Sequence, residues 1–67
     1  MEENRKEVGA EFDKVHLVDE PDLIEKFLDG AHKQLIGEGF DTITSMQEDH
    51  IDRNVIKVLV IGERTGA

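Results

Sequence analysis

The chain has 67 residues, 16 of them Asp or Glu and 8 Lys or Arg, giving a formal charge of −8, with no cysteine and no tryptophan. A chain this short forms one domain and buries only about 60% of the surface its unfolded form exposes, so its core needs a supplement. Without cysteine, disulfides and thiolate zinc sites are excluded, and self-association or a partner protein is the supplement that remains.

Met1 to Glu11 is dominated by charge, and within it only Val8 and Ala10 are apolar interior positions, which predicts a flexible tail over residues 1–11. The domain proper is expected over 12–62. Val15 and Leu17 alternate with His16 and Val18, predicting a first strand over Phe12 to Val18. Asp19 and Asp22 bracket Pro21 in the pattern of a helix start. Leu23, Ile24, Phe27, Leu28, Ala31 and Leu35 then recur at helical spacing and predict an amphipathic helix from about Glu20 to Ile36. Gly37 and Gly39 supply the stop.

Phe40 to Met46, with Ile43 and two β-branched threonines, predicts a second strand. The polar stretch from Gln47 to Asn54 reads as the connection to a third, Val55 to Ile61, closed by Gly62 and followed by a tail over 63–67. The fold class expected is therefore α+β, in β-α-β-β order, with one helix on one face of a three-stranded sheet. The third strand is apolar on both faces: Val55, Leu59 and Ile61 on one, Ile56, Val58 and Val60 on the other. One helix covers one face, so the second set, taken as Ile56, Val58 and Val60, is expected to be an interface with another copy, a dimer by preference, or with a different protein. The alternatives are that the N-terminal tail folds back across it or that the apolar patch stays exposed, as on some monomers.

Chemistry is sparse. Glu48, Asp49, His50 and Asp52 fall together in the expected loop and form the one metal-like cluster, but without the glycine and distal glutamate of a calcium loop they read as a solvated acidic turn. His16, His32 and His50 have no zinc-dyad spacing. Gly37 and Gly39 follow a helix where a phosphate loop would precede one. No catalytic residue and no cofactor is indicated. The acidic balance repels nucleic acid and anionic lipid, no apolar run is long enough to span a membrane, and a cytoplasmic location is expected.

In element order the chain resembles the flavin-storing dodecins. Through Val18-Asp19-Glu20 and the helix Leu23 to Leu28 it also resembles short acidic sporulation-associated proteins of Gram-positive bacteria. The flavin-stacking tryptophan is missing here, and neither resemblance carries functional residues over. The function expected is that of a non-enzymatic acidic interaction or regulatory protein. The alternatives are an inhibitor that mimics nucleic acid and a metal- or small-ligand-binding module at residues 48–52.

Overall fold

The computed structural model describes residues 4–65. Strand β1 runs from Arg5 to Asp13, the short helix α1 from Lys14 to Asp19, the main helix α2 from Leu23 to Gly37, β2 from Thr42 to His50 and β3 from Val55 to Glu63, with a 3-10 turn at Ile51–Arg53 between the last two. The fold is α+β, a three-stranded antiparallel sheet in the order β1-β3-β2 with the main helix α2 packed on one side.

The segment expected to be a tail is thus an edge strand. Lys6, Val8, Ala10 and Phe12 turn toward the helices, while Arg5, Glu7, Gly9, Glu11 and Asp13 turn away. Its length matches β3 residue for residue, from Arg5 opposite Glu63 to Asp13 opposite Val55. It lies beside β3 and does not fold back across it. Residues 1–3 lie outside the described residues.

The first strand expected over Phe12 to Val18 is also corrected, because Asp13 ends β1 and caps α1: its carboxylate accepts from the Val15 N–H at 2.9 Å. Such a cap satisfies one of the donors that a helix start leaves free. Asp22, by contrast, precedes α2 without a side-chain capping bond.

Helix α2 follows the expected spacing but begins at Leu23, three residues after the expected Glu20, with Pro21 and Asp22 in the turn before it; it buries Ala31 and Leu35, with Phe27 and Leu28 packed around them. Leu35, with no exposed surface, is worth about 2–3 kcal/mol of apolar burial. Phe27 meets Phe12 of β1 edge to face, with ring centroids 5.6 Å apart, an arrangement favoured by the ring quadrupoles. The helix ends as glycine dictates: Gly39, at φ +94°, adopts a backbone that a side chain would strain, and its N–H returns to the Ile36 carbonyl.

Phe40 belongs to this turn and not to β2. Its N–H donates to the Leu35 carbonyl at 3.1 Å, its ring is buried, and the Arg64 guanidinium lies 4.2 Å from the ring centroid. Arg64 also donates to the Glu38 carbonyl, and Thr65 donates to the Asp41 carboxylate. The first residues of the expected C-terminal tail are therefore fastened to the domain; residues 66–67 lie outside the described residues.

β2 continues four residues beyond Met46, through the first half of the expected loop, and the connection to β3 closes at Asn54. Asn54 takes the left-handed conformation, at φ 57°, and donates its N–H to the Ile51 carbonyl. Asparagine tolerates that backbone better than most residues.

On β3, Val58 and Val60 are 0% and 1% exposed and Ile56 is half-buried. By register they share the side of Ala10, Val8 and Phe12, which is the side the helices cover. The set expected to be the interface is the core, and the two faces of β3 are exchanged relative to that expectation.

Gly62 lies where the helix end meets the sheet. A Cβ there would stand 3.0 Å from Phe40 Cγ and 3.2 Å from Leu35 Cδ2, whereas nothing lies within 4 Å of one built on Gly30. Gly62→Ala is expected to lower unfolding stability by about 1–2 kcal/mol through overpacking, and Gly30→Ala to raise it by about 1 kcal/mol through helix propensity. Urea denaturation of the two variants checks both signs.

Candidate functional site

Because β1, β3 and β2 are in continuous register, the side away from the helices is read directly as rows across the sheet. The rows are Arg5-Glu63-Thr42, Glu7-Ile61-Thr44, Gly9-Leu59-Met46, Glu11-Lys57-Glu48 and Asp13-Val55-His50. No other described element covers this open face. Its apolar band comprises Ile61, Leu59, Met46 and Val55. Ile61 is already buried by its neighbours and Leu59 and Val55 are half-buried, while Met46 is 57% exposed. A Cβ built on Gly9 would meet Leu59 Cδ1 at 3.4 Å, an ordinary van der Waals contact.

Lys57 interrupts the band, opposite Glu11 of β1 and Glu48 of β2 in the register of the sheet. Opposite charges facing each other across a sheet stabilise it modestly. The face is therefore amphipathic, an apolar strip with a predominantly acidic margin.

The acidic cluster expected in a loop is separated by the strand that replaces it. Successive side chains of β2 point to opposite faces, so Glu48 and His50 lie on the open face while Asp49 lies on the helix side, where Lys14 Nζ contacts its carboxylate at 2.6 Å. His50 Nε2 is 3.5 Å from Glu48 Oε1, too long for a good hydrogen bond. Asp52 sits in the turn beyond. Among the described residues no group of three or more such side chains could hold a metal ion.

The other carboxylates are distributed over every side of the molecule. Glu7, Glu11, Glu48 and Glu63 share the open face, Asp22, Glu25 and Asp29 line the exposed surface of α2, and several are matched by cations. Arg5 lies 3.0 Å from Glu7, Lys33 3.0 Å from Asp29 and Arg53 3.4 Å from Glu11. Exposed pairs of this kind contribute about 0–1 kcal/mol each.

The hollows in the surface are shallow. One lies between α2 and β2, lined by Leu28, His32, Ile43, Thr44, Ser45 and Val60; another, lined by Met46, Gln47, Glu48, Lys57 and Leu59, belongs to the open face. No helix among the described residues is long and apolar enough to cross a membrane.

No family model, curated protein or solved structure matches the chain. The sporulation-type resemblance also loses its basis in the fold, since Val18 lies in α1 and ends no strand.

One carboxylate has a distinct electrostatic environment. Lys6 Nζ donates to Glu38 Oε1 at 2.7 Å and Gln34 donates to Oε2 at 3.2 Å, tying the end of α2 to β1. The Lys6 hydrogen bond, then that of Gln34, holds the Glu38 carboxyl below its ordinary 4.5. A depressed folded-state value stabilises the fold above the unfolded value, and that contribution is lost as pH falls through the folded one. In Lys6→Ala, an NMR titration of the Glu38 carboxyl carbon is expected to move its midpoint upward toward 4.5; an unchanged midpoint would remove Lys6 as the cause.

Proposed function

We propose that the protein is a small acidic interaction module, non-enzymatic and regulatory in character, that acts through protein-protein contacts and associates with copies of itself. The observation that carries this reading is the uncovered face of the central strand, where Val55, Leu59 and Ile61 continue into the exposed Met46.

Chain size supports it. The buried apolar core is Ala31, Leu35, Phe40, Val58, Val60 and Ile61, a small set for a domain without a cysteine to form a disulfide. Association would withdraw more of the apolar band from water, at about 25 cal/mol for each Å² removed. The acidic margin bears on how copies meet. Two open faces stacked directly would bring Glu7, Glu11, Glu48 and Glu63 of one against those of the other, and like charges oppose such a contact most strongly at low salt.

The measurement is the solution mass across a concentration series at low and high salt. The expected result is a species heavier than the 7.6 kDa chain, with its population rising as salt screens the −8 charge. A strict monomer at every concentration would overturn the self-association.

A further inference from the structure

The sheet has two outer edges, and they differ in how they are guarded. β1 carries Arg5, Lys6, Glu7, Glu11 and Asp13 with Gly9 at its centre, whereas β2 begins with Thr42-Ile43-Thr44-Ser45-Met46-Gln47, a run without charge, glycine or proline. Charges along an edge strand discourage pairing with another chain, and a long uncharged β-branched edge invites it.

Backbone alternation determines which groups β2 offers. The Lys14 N–H bonds to the Asn54 carbonyl and the Arg64 N–H to the Asn4 carbonyl. Hydrogen-bonded pairs alternate along an antiparallel ladder, so the even-numbered residues of β3 bond to β1 and its odd-numbered residues to β2. Through the register of β2 with β3, Thr42, Thr44, Met46, Glu48 and His50 are the residues bonded inward. Ile43, Ser45, Gln47 and Asp49 direct their N–H and carbonyl groups away from the sheet.

The geometry points to β2 pairing antiparallel with β2 of a second copy, about a two-fold axis at Met46. Met46 is the midpoint of the nine-residue strand, so this register overlaps the whole strand. Ser45 then bonds with the partner's Gln47 and Ile43 with the partner's Asp49, each with outward groups that match. Met46 meets the partner's Met46 in a pair without hydrogen bonds. No like charges stand opposite one another: Glu48 faces a threonine hydroxyl at Thr44 and His50 faces Thr42. The same full overlap of β1 with itself would place Glu7 against Glu11 on both sides of the axis, a destabilising arrangement.

An axis of this kind runs perpendicular to the sheet and yields a continuous six-stranded sheet with both α2 helices on one side. The two apolar bands join across the paired Met46 residues into one surface. The inference rests on the self-association proposed above and places it at the β2 edge, where only the Met46 end of the apolar band is withdrawn from water and Val55, Leu59 and Ile61 stay on the open face.

Ser45→Pro and Met46→Cys test it on the full chain by sedimentation and non-reducing electrophoresis. Proline at Ser45 removes an N–H that the domain itself does not use, and proline is tolerated on the outer side of an edge strand. The dimer is expected to weaken at least about tenfold, through two lost backbone bonds and the ring's intrusion, while the circular dichroism spectrum stays that of the parent. In antiparallel pairs without hydrogen bonds the Cα atoms are about 4.5 Å apart, within reach of a disulfide. Under mild oxidation Met46→Cys is therefore expected to form a covalent dimer much faster than Asp29→Cys on the outer surface of α2. A parent that associates while Ser45→Pro associates equally and Met46→Cys cross-links no faster than Asp29→Cys would overturn the edge and leave self-association standing. A parent that never associates would overturn both.

Discussion

The pairing of β3 on both sides at once is the constraint on which the rest of this small domain depends. With β1 taking one alternate set of its backbone groups and β2 the other, the strand has no free edge, and every side chain on it is committed to one of two faces. Val60 packs with Ala31 and Leu35 of α2, and Leu59 and Ile61 are left to be sheltered only by their neighbours in the sheet. The apolar character of the open face is therefore a by-product of where β3 sits. Any strand at the centre of so narrow a sheet accumulates contacts from both flanks, and branched aliphatic side chains fit that environment on either side.

Much of this architecture was legible in the sequence, and the parts that were not share a physical cause. The stripe from Leu23 to Leu35 and the run from Val55 to Ile61 are dominated by burial, and burial dictates residue type. β1 was hidden because only its inward residues are constrained, and two of these are Lys6 and the small Ala10. Its outward positions Arg5, Glu7, Glu11 and Asp13 meet solvent and gave the segment the look of a tail. The end of β2 was hidden similarly: Gln47 and Asp49 lie on the helix side, but both are exposed, so no apolar alternation marks them. Conversely, Val15 and Leu17 alternate over too short a span to distinguish a strand from the single turn of helix that Asp13 initiates.

The candidate surface illustrates the limit of reading one strand at a time. That β3 is apolar on two sides was evident from its residues alone, but nothing in them says which side the helices take. That choice is made by the neighbours. Val8, Phe12 and Ile43 complete an apolar layer with the valines, whereas Glu7, Glu11 and Glu48 surround Leu59 with charge. The acidic cluster had the opposite history: four residues close in sequence were drawn apart once strand geometry sent neighbours to opposite faces.

The order of strands has a kinetic consequence. β2 and β3 are joined by a short turn, so their ladder can form by local search, but every pair between β1 and β3 joins residues more than forty positions apart. Closing so long a loop costs entropy before any contact is gained, and such contacts form late in folding. β1 is therefore expected to be the last strand to join and, since it leaves without breaking the hairpin, the first to depart. In the interval the hairpin presents the vacated edge of β3, its most apolar strand, to whatever else is in solution. A growing chain reaches that condition only after β3 has been synthesised, when β1 has already been waiting unpaired.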